Sequence, residues 1–478
     1  MRKKHDPQIR SSLPETHRHY LLMLALILTA AFAVRALTAN FLRAHLHDAA
    51  WFPSGIFAVF DHQAQDWLDG KSSIFRIDDA SRTDRATYPP GYAVWLAAIY
   101  KISGTRSPET VQKVQWMLDA FSVLLIVGIA VSAFGWRSAL WAGGVAALWP
   151  LLAVYGVTPL PDAPVSWVIL GATWTLLLAV KRSSLRWAAA CGLLIGASCW
   201  LRANAILLSL FIGAAMLLFL KMRWKLRASL AAAVVGAAIV VISPVVLRNA
   251  LAFHAFIPVG LGAGTNLWEG IGETQRGQTE FGAVYGDDNL IEQERVELGA
   301  SKDALFNLYF PDGVRRDRER ARKALAIIVR HPFWYSGVVV RRMASLLKYA
   351  GEPNGIYGSA GINVTSSKCL PPENQRGVMA ILVTALGMIQ SVLRYLLLPL
   401  MLTGIVVATR LDARMTALLL AIVVYYLVVG SLMHTQFRYG LPLQALLTVF
   451  SGVALWRLQH FLTTRFSLSG KSLQSLRS

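Results

Sequence analysis

This sequence is short of charge. Of 478 residues, 15% are Asp, Glu, Lys or Arg and 55% are hydrophobic, with mean hydropathy +0.47. A soluble domain carries about a quarter of its residues as charges, so a soluble globular protein is excluded. Acids are the scarcer sign, 27 against 47 basic residues, leaving a net charge of +20. In a soluble protein that excess would point to nucleic acid. Here the basic residues sit in short loops between apolar runs, the positive-inside pattern, which also suits anionic lipid headgroups. Membrane lipids, and no nucleic acid, are the expected partners. Cysteine is nearly missing: Cys191, Cys199 and Cys369 give no disulfide framework. The chain has no P-loop, no Gly-x-Gly-x-x-Gly after a strand and no His-Glu-x-x-His. Its cytoplasmic loops hold no sizeable domain and no acidic pair suited to a nucleotide–metal complex. A donor bound from the cytosol as a nucleotide is therefore not expected, and no metal site can be named, although a divalent cation is not ruled out.

Long apolar runs are abundant. Several reach the ~20 residues that cross a bilayer as a helix, so the expected fold is all-α, a polytopic helical membrane protein. Spans are expected near 20–42, 111–134, 137–155, 162–180, 186–202, 203–220, 227–248, 378–409, 414–432 and 440–462, about ten in all. The first is too long for a signal-peptide core. The basic N-terminus 1–19 and the basic tail 463–478 are then cytoplasmic. One membrane domain, 20–462, carries two long polar regions on the opposite side, 43–110 and 249–377. Arg35 and Arg43, near the outer end of the first span, could snorkel to the interface.

The first polar region carries most of the signal. Apolar residues at 56, 57, 60, 64, 67 and 68 alternate with polar ones at helical spacing, giving one wet face. Pro53 and Gly70 bracket this segment, which is expected to lie in the membrane plane. A second short helix, Pro90 to Tyr100, follows the rigid pair Pro89-Pro90. Residues 301–330 read as a charged amphipathic helix. Residues 333–350, interrupted by Arg341-Arg342, read as surface-lying or half-inserted.

Polar residues fall on one rim. Besides the two long regions, the outward turns carry Asp162, Arg202, Arg248-Asn249 and Arg438-Tyr439. Charges at the membrane are costly and usually functional. Guanidinium forks match phosphate oxygens, so Arg85, Arg202, Arg248 and Arg438, with Tyr88, are candidate phosphate contacts. For each the alternative is an interfacial anchor. A lipid-linked phosphate arriving sideways from the bilayer suits such a rim. Asp48, directly after the first span, is the leading candidate base, because a carboxylate can accept the proton of an attacking hydroxyl or amine. Asp61, on the wet face of the in-plane helix, is its rival. Asp162 opens a span, where the helix dipole alone would favour an acid. Asp287-Asp288 reads as a turn.

These pieces resemble the GT-C superfamily of integral-membrane glycosyltransferases, in its protein O-mannosyltransferase and aminoarabinose-transferase-like branch. The resemblance rests on Asp48 after the first span, Ala64-x-x-Trp67-Leu68-x-Gly70, Tyr88-Pro89-Pro90-Gly91 and Pro159-Leu-Pro161-Asp162. It continues in Pro244-Val-Val-Leu-Arg248-Asn249, Gly264-Thr-Asn266-Leu267-Trp268-x-Gly270 and Phe437-Arg438-Tyr439-x-x-Pro442. It implies a sugar moved with inversion from a polyprenyl-phosphate donor to a lipid, glycan or protein acceptor, at the periplasmic face of a bacterial inner membrane. It also implies Asp48 as base and a phosphate contact at Arg85 or Tyr88. The competing reading is a lipid or solute transporter, which calls for broken helices, paired halves and polar groups at the midplane. The sequence shows no two-fold pattern, and Asp119 is the one acid well inside a span. A non-enzymatic scaffold would need no acid and arginines on one rim.

Overall fold

The computed structural model describes residues 15–47, 54–75, 80–301, 305–348 and 376–475. Asp48 lies outside them. Among the described residues there is no named strand and the chain runs from helix to helix. The first helix is α1, Glu15–Arg43. The first polar region forms α2, Ser54–Leu68, and α3, Gly91–Ser103. The apolar runs follow as α4, Pro108–Phe134, α5, Trp136–Leu148, and α6, Pro150–Val157. Next come α7, Asp162–Arg182, α8, Leu185–Leu201, α9, Leu208–Phe219, and α10, Trp224–Phe253. The second polar region holds α11, Ala263–Gly272, α12, Gln275–Phe281, α13, Asp287–Glu297, α14, Gly313–Arg330, and α15, Pro332–Lys348. The chain closes with α16, Val378–Leu411, α17, Ala413–Leu432, and α18, Leu441–Ser475.

The all-α membrane fold is as expected, but the count of ten spans is not reached. Among the described residues seven helices are long and apolar enough to cross, and α5 with α6, bent by 56°, makes an eighth. The expected spans 186–202 and 203–220 correspond to apolar helices that are too short by length alone.

The face read for the in-plane helix is the face that packs. Phe57, Phe60 and Ala64 of α2 are buried against Tyr92, Leu96 and Ile99 of α3. Gly91, the first residue of α3, meets α8 so closely that a Cβ there would lie 2.5 Å from the Trp200 carbonyl oxygen. Only glycine permits that approach, and it brings the Tyr88 loop to the end of α8.

Inside the bundle, Arg35 does not snorkel. It is fully buried, and its Nε donates to Asp119 Oδ2 at 3.0 Å while Nη1 donates to the Ala147 carbonyl at 2.6 Å. The reason lies in the break between α5 and α6. Pro150 has no N–H, so the last carbonyls of α5 lose helical partners, and the Arg35 fork covers them. Trp167 Nε1 donates to the other Asp119 oxygen at 2.7 Å. Asp119, the acid that looked out of place in a span, thus has its partners on two elements, α1 and α7. Gly156 of α6 lies against it: a Cβ there would sit 2.3 Å from Asp119 Oδ2.

The arginine pair of α15 is split. Arg341 is exposed and Arg342 is buried, donating to Glu273 at 2.6 Å and to the Met433 carbonyl at 3.0 Å. In α14, Arg316 and Arg320 turn inward to Glu294 at 2.5 to 2.6 Å. The amphipathic reading holds from Gly313 onward, and residues 305–312 before it form no helix.

Asp119→Ala is expected to leave the Arg35 charge buried and alone, costing about 3–5 kcal/mol. That is measured as a fall in melting temperature in detergent. Gly91→Ala overpacks the α3–α8 contact by about 1–3 kcal/mol, whereas Gly55→Ala, whose Cβ would meet open space, leaves the melting temperature unchanged. Equal behaviour of the two glycine variants would remove the close-approach argument.

Candidate active site

Four of the expected site residues come together. Helix α8 ends at Leu201, and Arg202 continues in extended backbone, so its side chain reaches back to the first turn of α7. There it donates to Asp162 Oδ1. Asp162 is 2% exposed and sits after Pro161, where the α7 dipole also favours a carboxylate. Its Oδ2 has no protein partner. The Arg202 guanidinium lies 4.5 Å from the ring centre of Tyr439, and that of Arg438 lies 5.5 Å from the same ring. Phe60 of α2 stacks at 5.0 Å on Tyr88. The Tyr88 phenol is pushed up to about 12 by burial and then by the charge of Asp287, against the pull of Arg438 and Arg202. It therefore stays protonated at neutral pH and can donate a hydrogen bond.

Arg438 differs from the other buried arginines. It is 8% exposed, its Nε is fully buried without a partner, and its guanidinium makes no hydrogen bond or ion pair among the described residues. Asp162 and Asp287 act on it only through space, and Tyr439 meets it with its ring.

Around this centre lies a set of groups that the sequence reading did not single out. His434, two residues past α17, gives Nδ1 to Glu273 Oε1, and its ring meets Tyr439 edge-on at 6.0 Å. The His434 N–H donates to the Asn266 carbonyl at 2.8 Å, which is how the Gly264-Thr-Asn266 stretch holds this turn. Burial alone would lower the imidazole pKa. The Tyr439 phenol and the bond and charge of Glu273 outweigh it and lift His434 to about 9. Glu269, one turn earlier on α11, accepts only the Gly286 N–H at 3.2 Å. Burial pushes its carboxyl up to about 7, with the charges of Asp287 and Glu273 adding to the rise and His434 opposing it. Asp287, read as a turn residue, opens α13, and burial raises its carboxyl, with His434, Arg320 and Arg438 pulling it back.

The other expected residues fall elsewhere. Asp61 is committed to the α2–α3 contact, accepting from Tyr100 Oη at 2.5 Å and Gln65 Nε2 at 2.8 Å. Arg85 lies in the 3-10 turn Thr83–Ala86 and is exposed. Arg248 is 6% exposed, with a buried Nε that has no partner. It is a second guanidinium of this kind, and no contact among the described residues joins it to the Arg202–Arg438 pair. Its neighbour Asn249 donates to the Ile257 carbonyl at 3.0 Å and leaves Oδ1 unpaired. Among the described residues no three His, Cys, Asp or Glu side chains converge as metal ligands.

Comparison with known proteins agrees with this architecture. Residues 87–247, about a third of the chain, match the family described as dolichyl-phosphate-mannose-protein mannosyltransferase. Among solved structures, the archaeal oligosaccharyltransferase AglB from Archaeoglobus fulgidus, in complex with an inhibitory peptide and a dolichol-phosphate, aligns over 96% of this chain. That alignment covers 52% of AglB, at 14% identity and a TM-score of 0.51. This chain thus spans about half the length of that protein. ArnT from Cupriavidus metallidurans bound to undecaprenyl phosphate aligns more loosely, over 92% of this chain and 78% of its own, at 13% identity and a TM-score of 0.37. No curated protein sequence matches. With the family match and the shared fold in hand, the resemblance drawn from the motifs holds: the chain has the fold of the GT-C superfamily of integral-membrane glycosyltransferases.

Proposed function

We propose that this protein is a membrane glycosyltransferase that moves a sugar, hexose or pentose, from a polyprenyl-phosphate donor to a lipid, glycan or protein acceptor. The reaction takes place at the outer, periplasmic face of a bacterial inner membrane and inverts the anomeric carbon. The observation that carries this reading is the unpaired, buried guanidinium of Arg438 beside Arg202. Two guanidinium groups against one ring, with Tyr88 as a neutral donor, suit the oxygens of a phosphate. Asp162 is bonded to Arg202 and acts on Arg438 only through space, so the Arg438 guanidinium keeps its hydrogen-bond donors for the ligand. Arg248 supplies a further unpaired cation at the end of α10. The dolichol-phosphate bound to AglB, whose fold this chain shares, supports a lipid phosphate as the occupant.

In the proposed displacement the acceptor oxygen or nitrogen attacks the anomeric carbon from the face opposite the phosphate. The bond from that carbon to the phosphate oxygen breaks, and the polyprenyl phosphate leaves with the electron pair. Arg438 and Arg202 stabilise the charge that develops on the leaving oxygen, as preorganised donors do. A carboxylate takes the acceptor proton. Asp48, placed after α1, is the proposed base. Asp61 is already engaged by two donors, which makes it the weaker choice. A flippase would need mobile charges within the spans, and the buried pair that joins two spans, Arg35 with Asp119, is fully bonded.

Arg438→Ala is expected to weaken binding of a polyprenyl phosphate by about tenfold or more, the worth of a charged hydrogen-bond contact. The measurement is a titration of the purified protein in nanodiscs, and unchanged affinity would remove Arg438 from the site. Asp48→Asn is expected to abolish transfer, scored by mass spectrometry of membrane lipids and envelope glycans, while phosphate binding survives. Activity kept in Asp48→Asn and lost in Asp61→Asn would move the base to Asp61. Flux of lipid in proteoliposomes without any covalent product would favour the transporter instead.

A further inference from the structure

We propose that His434 donates its Nε2–H to the phosphate bound beside Arg438, with Glu273 as the residue that positions the ring. The inference rests on the anion-binding reading of the Arg202–Arg438 pocket and adds a third contact to it. His434 is 8% exposed, and its Nε2, unlike the Arg438 Nε, is not sealed from solvent, so a ligand can reach it. Nδ1 has a partner, the Glu273 carboxylate. Nε2 has none within the chain among the described residues. The ring cannot swing to find another. Glu273 is pinned by Arg342 at 2.6 Å through Oε2 and by the Thr435 N–H at 3.3 Å through Oε1, and the His434 backbone is held by Asn266. With Nδ1 committed, the only free donor is Nε2.

The ring also stands in the right company. It contacts Tyr439, the same ring that carries Arg202 and Arg438, and on its other side Tyr285 at 5.6 Å. The groups that act on it are Glu269 from α11, Glu273 just past its end, Asp287 from α13 and Tyr439 from its own turn; Arg342 from α15 bonds Glu273 behind it, and Arg438 shares with it the Tyr439 ring and Asp287. With the ring lifted to about 9, it is a cation at neutral pH. The sign follows: the cation is complete below the ordinary histidine range and is lost as pH rises through about 9. Glu269 titrates below that window, at about 7, and Tyr88 above it, at about 12. The Tyr439 phenol, against the upward push of burial, is lowered toward it by the charges of His434, Arg438 and Arg202, so each binding profile is repeated in a Tyr439→Phe background. A phosphate monoester completes its second ionisation near pH 6, so its own charge is constant there.

The alternative is a strut: His434 joins α11 to the α17–α18 turn and touches no ligand. The test separates the two. A short-chain, water-soluble prenyl phosphate is titrated into the full-length protein in nanodiscs between pH 8 and pH 10.5. Wild type is expected to lose about tenfold in affinity across this range, the scale of one charged hydrogen bond. His434→Asn places an amide where Nδ1 was, keeping the bond to Glu273 and removing the far donor. It is expected to bind about tenfold more weakly at pH 8, with no slope. His434→Gln places a neutral donor near Nε2 and is expected to fall between the two, also without slope. A flat wild-type profile, or a His434→Asn profile parallel to wild type, would overturn the proposal. If His434→Asn does not fold, the wild-type slope set against the flat His434→Gln profile decides alone. If wild type binds no prenyl phosphate at any pH, the anion-pocket reading itself fails and takes this inference with it. If it binds without a pH slope, only the role of His434 fails.

Discussion

The fork of Arg35 on the broken end of α5 is the contact that sets the geometry of everything beyond it. Three elements meet at that guanidinium: α1 supplies it, α4 supplies the Asp119 carboxylate, and α5 supplies the Ala147 carbonyl. Without a cation there, the proline break would leave carbonyls unpaired in an apolar bundle, which lipid and core alike penalise. With it, the chain can turn by 56° inside the bundle and run through α6 to Pro159-Leu-Pro161-Asp162. The bend therefore fixes where α7 begins, and the start of α7 fixes where Asp162 meets Arg202. A change at residue 119 is felt at the site through rigid helices, not through contact.

The molecule is careful about buried charge, and that care gives the exceptions meaning. Arg35 is matched by Asp119, Arg202 by Asp162, Arg342 by Glu273, and Arg316 with Arg320 by Glu294. Every one of these pairs has side-chain exposure of at most about a fifth, where an unmatched partner would be costly. Against that background, among the described residues, Arg438 and Arg248 make no direct ion pair and each leaves a buried Nε unbonded, although Asp162 and Asp287 act on Arg438 through space. A fold that compensates its other buried arginines and leaves these two open has spent stability on them. Binding of an anion, which would restore the pairing, is the physical use for such a deficit.

How much of this the sequence made legible depended on distance along the chain. Periodicity is local, and so α2 and α3 were read with nearly the observed bounds, down to the face with Phe57, Phe60 and Ala64. The motif Tyr88-Pro89-Pro90-Gly91 was legible as a pattern, while the reason for its glycine, the Trp200 carbonyl, lies more than a hundred residues away. Arg35 was misread for the same reason. An arginine near a span end snorkels by default, and nothing nearby announced that a proline at position 150 would need it. Arg341-Arg342 looked like one polar interruption, yet one side chain faces out and its neighbour is the anchor of α15. Asp61 looked free on a wet helix face, and the Tyr100 hydroxyl that claims it sits on the next helix. The base candidate Asp48 falls outside the described residues, so its place in the pocket is a matter for the proposed experiments.

Glu269 and Asp287 show why the centre of the site was harder to see than its rim. Each sits in a short helix of a region that reads as an ordinary polar loop, and each acquires its character only from burial beside the other and beside His434. In solution these carboxyls would be separate anions. Packed together they raise one another, and His434 opposes the rise while Glu273 holds it in place. The result is a pocket whose fixed cations, Arg202 and Arg438, are flanked by groups whose charge can change. A polyprenyl phosphate carries up to two negative charges and a sugar-linked one carries fewer. On the proposed function, a surround that can take up or release a proton would let the same arginines hold both forms, the donor before transfer and the bare lipid phosphate after it.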